Sequence, residues 1–245
     1  MTLTMELWHG STLPRAKLEA GLDGGLHLGT REQALMRSPV FLHRIAVTIR
    51  QGAVRKSRDN GGGWASKIAD ARKAGLDAIC YVNRYEGLSP EVVDRINSRN
   101  LDSLPDSKFL KAVPEADISW IILHPQDARV VEIQAGPGRM SLFHTCPPEK
   151  ADKLLAEGFQ GEEILKLCSD PEAVWQASDR TRDATILSVR VSAEHLQPNP
   201  KWCKGSWLDI AKSEHPWYLQ TELPIPSIAF RRVADLEMDR SPTFG

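Results

Sequence analysis

The stretch Asp77-Ala-Ile-Cys-Tyr-Val-Asn-Arg-Tyr-Glu-Gly87 decides how this chain is read. Ala78 to Val82 is an apolar run of strand length, with β-favouring Ile, Tyr and Val, so it predicts a short buried strand. Asn83, Arg84 and Glu86 follow at once, and Gly87 lets the chain turn away. A carboxylate at the tip of a buried strand is a poor packing group and a good chemical one. Its plainer reading is the first solvated residue of a turn. What weighs against that is a second stretch far upstream, Leu7-Trp-His-Gly-Ser11. There a short apolar run ends on an imidazole, a glycine that admits close backbone approach and a hydroxyl.

Around these two stretches the chain has the size and composition of an ordinary globular protein. Its 245 residues are 41% hydrophobic and 26% charged, with a formal net charge of -1. That balance gives no global attraction to nucleic acid or to a membrane surface. Residues 1–140 carry 19 Lys+Arg against 16 Asp+Glu, and residues 141–245 carry 12 against 16, so the first part is near +3 and the second near -4. Cys80, Cys146, Cys168 and Cys203 have no close metal-ligand spacing, so no metal is expected and free thiols are. The opening residues lack the regions of a signal peptide, and no apolar run approaches the roughly 20 residues that span a bilayer. The expected setting is cytoplasmic, with no membrane partner.

Local patterns predict an α+β chain of two small mixed domains. In the first, a short helix is expected over Leu13 to Ala20, a strand at Leu26-His-Leu28, and a helix capped by Thr30 and limited by Pro39. Val40 to Ile49 alternates as a strand, with Ile45, Val47 and Ile49 on one face. Asn60-Gly-Gly-Gly63 is a loop without phosphate-loop spacing, and Trp64 to Ala74 a helix stopped by Gly75. A helix is expected near Glu91 to Ile96, and strands at Ile118 to Leu123 and Ala128 to Ile133. Gln134-Ala-Gly-Pro-Gly-Arg139 is the natural break, giving domains 1–137 and 138–245. Beyond it the pattern restarts. Ser141 to Thr145 echoes Glu6 to Gly10, a helix is expected at Glu149 to Glu157, and strands at Ala173 to Ser178, Ala184 to Val191, Trp217 to Glu222 and Ile228 to Val233. This is an approximate repeat of architecture rather than of letters.

One neutral imidazole, one hydroxyl and one carboxylate around glycines suit a reaction at a sugar ring. A carboxylate stabilises an oxocarbenium ion, and an imidazole holds a ribose hydroxyl. The same groups also serve general acid-base hydrolysis, and the spacing leaves both open.

Leu7-Trp-His-Gly-Ser11 resembles the Tyr-His-Gly-Thr opening of diphtheria-toxin-like and poly-ADP-ribose-polymerase-like ADP-ribosyltransferases. Gly25-Leu-His-Leu-Gly-Thr30 resembles their second motif, and Tyr81-Val-Asn-Arg-Tyr-Glu86 the stretch bearing the catalytic glutamate in the diphtheria-toxin branch. The three occur in the family's order over roughly residues 5 to 133. The resemblance implies a split-sheet fold and NAD as donor substrate; the acceptor stays open among protein, nucleic acid and a small molecule. It implies that His9 bonds a ribose hydroxyl, that Gly10 sets backbone groups against the nicotinamide amide, and that Glu86 stabilises the ribosyl cation. Ser11, Thr30, Tyr81 and Asn83 are carried over as NAD contacts. His27 stands where the family usually has a stacking Tyr. Two other outcomes fit the same letters: a nucleotide-binding module without turnover, and an RNA 2′-phosphotransferase-like enzyme using Arg50, Arg55, Lys56 and Arg58. In the second part, Leu142-Phe-His-Thr145 matches the opening motif, and Val174 to Ser178 is the expected counterpart of the aromatic strand. Trp217 would take the acid position, with Glu222 displaced, which implies a scaffold or target-recognition module.

Overall fold

The computed structural model describes residues 1–59, 62–177, 184–201, 205–213 and 216–233, without the side chains of Trp175 and Ala177. The chain divides into two compact units, Met1–Gln134 and Ala135–Gly245, three residues ahead of the expected break. Both mix helices and antiparallel strands, as an α+β chain should.

The first unit contains β1 (Thr2–Ser11), β2 (Leu26–Leu28), α1 (Arg31–Arg37), β3 (Phe41–Arg50), β4 (Val54–Lys56) and α2 (Trp64–Lys73). It continues with β5 (Ala78–Val82), α3 (Pro90–Ser98), α4 (Asp106–Ala112), β6 (Ile118–Ile122) and β7 (Ala128–Ala135). One sheet runs β1-β3-β7 and the other β2-β6-β5-β4. Among the described residues a single bridge joins them. The Trp8 N–H donates to the Gly29 carbonyl at 2.9 Å, and the Gly29 N–H donates to Trp8 at 3.0 Å. Beyond that bridge β1 and β2 part.

β5 is buried along all five residues because it is covered on both faces. Ile79 and Tyr81 pack on Ile68 and Ala71 of α2. Ala78 joins Ile45, Val47 and Ile49, the alternating face of β3. Val82 starts a third cluster with Ile96 of α3 and Phe109 of α4. The polar continuation of this strand follows at the sheet's end, with Asn83 and Arg84 buried, Tyr85 exposed and Glu86 partly exposed.

The second unit contains β8 (Arg139–Cys146), α5 (Pro148–Glu157), β9 (Leu165–Cys168), α6 (Pro171–Ala177), β10 (Thr185–Ser192), β11 (Gln197–Pro198), α7 (Trp207–Lys212), β12 (Tyr218–Thr221) and β13 (Phe230–Arg232). Its sheet runs β11-β12-β9-β8-β10-β13 around a core that includes Leu142, Leu167, Leu187 and Leu219. Taken in chain order, with the edge strand β4 set aside, both units place their strands as fourth, fifth, second, first, third, sixth. The bridge Trp8–Gly29 has its counterpart in the pairing Phe143–Cys168, the one pair between β8 and β9. The architectural repeat is therefore one of topology and register, carried by different side chains.

Three expectations need correction. Leu13 to Ala20 is irregular, since Pro14 interrupts it and the Arg15 N–H donates to His43 Nε2 at 2.9 Å instead of to a helical carbonyl. Ala173 to Ser178 is not a strand. It falls in α6, whose first turn is capped when Asp170 Oδ1 accepts from the Glu172 N–H at 2.8 Å; Ser178 lies outside the described residues. The counterpart of β2 is β9, a strand the sequence did not suggest. Finally, Tyr218 to Thr221 corresponds to β6, not to β5, so neither Trp217 nor Glu222 stands at the acid position. The fourth strand of this unit is β11, which runs into Asn199, Pro200 and Lys201.

Candidate active site

Asn83, 3% exposed, organises the tip of β5. Its Oδ1 accepts from the backbone N–H of Tyr85 at 3.3 Å and of Glu86 at 2.9 Å, an Asx turn that folds the chain back. Its Nδ2 donates to Glu86 Oε2 at 2.6 Å and to Ser119 Oγ on β6 at 3.0 Å. Ser119 in turn donates to Gln33 Oε1 at 3.0 Å. That oxygen also accepts from the Thr30 N–H at 2.9 Å, closing the capping box of α1. The start of α1 thus holds Asn83, and Asn83 aims Glu86. Gly87 has φ 81°, and a Cβ there would sit 2.9 Å from Gln33 Cγ, so both the turn and the close approach demand glycine.

The last turn of α1 reaches the same carboxylate. Arg37 Nε donates to Glu86 Oε1 at 3.0 Å and Oε2 at 2.9 Å, and Nη2 to Oε2 at 2.7 Å. Nη2 also lies 3.3 Å from the Tyr81 hydroxyl. Burial disfavours the Arg37 charge, but the hydrogen bonds and charge of Glu86 outweigh it and raise the guanidinium pKa. Burial leads the causes that raise the Tyr81 phenol, so Tyr81 stays neutral. Of the carboxylate, Oε1 keeps the greater spare acceptor capacity.

Glu86, Arg37, Asn83, Tyr81, Trp64 and His27 line one cleft of about 430 Å³, together with Asp59, Gly62 and Tyr85. Its apolar wall is aromatic. The rings of Trp64 and Tyr81 are 4.5 Å apart at 38°, and His27 meets Trp64 edge-on at 6.3 Å. Lys67 Nζ lies 4.4 Å from the centre of the Trp64 ring. His27 is held by Asp23, whose Oδ2 is 2.7 Å from Nε2. Burial works against the Asp23 charge, but the Gly25 N–H and the His27 ring outweigh it and lower the pKa of this carboxyl.

The remaining expected residues stand beside the cleft rather than on its wall. His9 Nδ1 is 3.0 Å from the His27 carbonyl. A carbonyl only accepts, so Nδ1 carries the proton and Nε2 is left as an acceptor. Burial lowers the pKa of His9 and keeps it neutral. Gly10 is packed from one side by α1: a Cβ would lie 2.1 Å from the Ala34 carbonyl oxygen. Trp8 points its N–H and C=O toward Gly29, and the two-residue period of a strand points those of Gly10 the same way, into the opening between β1 and β2. Ser11 and Thr30 make local bonds: Ser11 Oγ accepts from the Leu13 N–H at 3.3 Å, and the Thr30 hydroxyl caps α1 by accepting from the Gln33 N–H at 3.3 Å.

Arg37 and Trp64 were not anticipated. Arg37 looks like any basic residue in a last helical turn, and Trp64 like a helix-start aromatic. The nearest signal was the glycine loop before Trp64, of which Gly62 borders the cleft and Asn60 and Gly61 lie outside the described residues. Of the basic run expected to serve RNA, Arg50 and Arg58 are engaged elsewhere. Arg50 pairs with Asp77 at 2.6 Å, and Arg58 donates to the carbonyls of Asp102 at 3.0 Å and Ser103 at 3.1 Å. Arg84, 3% exposed, is structural: it pairs with Asp106 at 2.5 Å and stacks over Phe109 at 4.3 Å.

No protein-family model matches the chain, and no curated protein compared with it is similar. The site must be judged on its geometry. Among the described residues no group of His, Cys, Asp and Glu is arranged to hold a metal ion, and no helix is long and apolar enough to cross a membrane.

Proposed function

We propose that the first unit is an NAD-dependent ADP-ribosyltransferase that breaks the bond between nicotinamide and ribose. The observation that carries this reading is the fixed carboxylate of Glu86 in the same cleft as the Tyr81–Trp64 aromatic pair. A flat aromatic leaving group stacks on that pair, with His27 at its edge. Gly10 offers its N–H and C=O to the amide, and His9 Nε2 accepts from a ribose hydroxyl. Glu86 Oε1 accepts from the nicotinamide ribose and stabilises the positive charge that grows as the glycosidic bond opens. Arg37 holds that carboxylate in place through its paired hydrogen bonds and adds positive charge for the pyrophosphate. The acceptor, protein or nucleic acid, attacks the ribosyl carbon.

The same Arg37–Glu86 pair favours a second reading, a nucleotide-binding module without turnover, because a carboxylate shared with a guanidinium stabilises a cation less well. Nicotinamide release separates the two. The enzyme reading expects release from NAD by the wild type and a loss of roughly 100-fold or more in Glu86→Gln, the scale of a removed electrostatic stabiliser. An inert protein whose melting temperature NAD still raises leaves the binding module. A protein that ignores NAD and acts on 2′-phosphorylated RNA would reject both.

A further inference from the structure

We infer that the second unit has a binding site of its own, for a phosphorylated ribose or nucleotide, in the cavity between His144 and Lys201. The cavity measures about 250 Å³, and its polar lining is His144, Thr145, Lys166, Cys168, Asn199 and Lys201, beside Tyr218. Among the described residues no carboxylate lines it, while two lysines do.

His144 Nδ1 lies 2.8 Å from the Lys166 carbonyl and therefore donates to it, which leaves Nε2 as an acceptor. Burial lowers the pKa of this imidazole and favours the neutral ring. Nε2 is buried with no partner among the described residues, and so is Oγ1 of Thr145, which lines the same cavity. Buried polar atoms without partners are uncommon in folded proteins. An acceptor nitrogen and a hydroxyl in one cavity suit the hydroxyls of a sugar. The ammonium of Lys166 stands on an exposed residue and, among the described residues, pairs with no carboxylate. A phosphate on the same sugar would draw it in.

The register explains both the site and its limits. His144 on β8 holds the second residue of β9 by its carbonyl, as His9 on β1 holds the second residue of β2. Lys166 thus occupies the place of His27. The Asn199 N–H donates to the Tyr218 carbonyl at 2.9 Å, which sets Asn199 opposite Tyr218 as Tyr81 is set opposite Ser119. Past that point the first unit runs on to Glu86 within five residues, whereas here the chain reaches Lys201 within two. This site keeps the anchored histidine and has a cation where the other turns toward its acid. Binding is expected of it, not glycosidic cleavage.

The proposal rests on the second unit's own residues, not on turnover in the first. It is tested on the full chain by calorimetric titration with ribose 5-phosphate, ADP-ribose and inorganic phosphate, comparing wild type with Lys166→Glu and Thr145→Val. Trp64→Ala reports on the first unit. The expected result is a ribose 5-phosphate site weakened tenfold or more by Lys166→Glu and severalfold by Thr145→Val, and unmoved by Trp64→Ala. If only the first-unit reading fails, ADP-ribose still binds once per chain and Lys166→Glu removes it. Three outcomes overturn the inference: no binding of ribose 5-phosphate by folded wild type, wild-type affinity in both second-unit variants, or inorganic phosphate binding as tightly as the sugar phosphate.

Discussion

Arg37 and Glu86, 49 residues apart in the chain, meet as a paired fork, with Nε and Nη2 of the guanidinium both within 3.0 Å of the carboxylate. Glu86 is one-third exposed and Arg37 about one-quarter, so solvent screens the pair and its worth lies more in aim than in stability. Two elements thereby fix one carboxylate: Asn83 from its own turn and Arg37 from α1.

Removing Arg37 should change activity more than folding. Arg37→Ala is expected to lower nicotinamide release about tenfold to 100-fold, because Glu86 loses its orientation, while the melting temperature moves by only a few degrees. Arg37→Lys keeps the charge but not the fork, so it should restore only part of the rate. A rise in release on removing Arg37 would show instead that the guanidinium restrains the carboxylate.

Trp64→Ala should act on substrate binding. The lost stacking surface is expected to raise the KM for NAD about tenfold, about 1.4 kcal/mol and at the upper end for an aromatic contact, with a smaller change in kcat. An unchanged KM, measured by initial rates of nicotinamide release, would remove Trp64 from the site.

His43 predicts an acid-labile fold. It is fully buried, and burial, the largest cause, together with neighbouring His9 lowers its pKa to about 4. Between about pH 4 and 6.5 the unfolded imidazole binds a proton that the folded one does not, so stability rises with pH across that window and is complete above it. The lowered pKa of His9 and His144 acts in the same direction. Taken alone, His43 accounts for about 3 kcal/mol lost on going from pH 7 to pH 4. Urea denaturation at both pH values should show a smaller difference in His43→Leu than in wild type.

Two glycines should respond oppositely. Gly10→Ala places a methyl 2.1 Å from the Ala34 carbonyl oxygen, a backbone atom that only a shift of α1 can relieve. The expected loss is about 3 kcal/mol, at the upper end for overpacking. Gly62→Ala meets nothing within 4 Å and should leave the melting temperature unchanged or slightly raised. Thermal unfolding followed by circular dichroism distinguishes the two.

Much of the fold was legible because it is local. The alternation of Ile45, Val47 and Ile49, the Thr30 cap and the Gly75 stop each act within one element. The elements misread were those whose local signal is weak. β9 is four residues long, and α6 carries β-compatible Val174 and Trp175 yet is started by Asp170. The helix expected over Leu13 to Ala20 failed because Pro14 breaks the pattern and a buried imidazole takes the next amide.

By itself the sequence determined that a buried strand ends in Asn83 and Glu86, and that a histidine and a glycine close the first strand. Run length, polarity and turn residues settle such things at short range. Only the tertiary structure decided which groups meet Glu86. Arg37, Ser119, Gln33 and Trp64 come from other elements, and their contacts depend on strand order and register, which no periodicity in the chain records. The same holds for the second unit, where register alone matches Lys166 to His27 and moves the expected acid position from Trp217 to the end of β11.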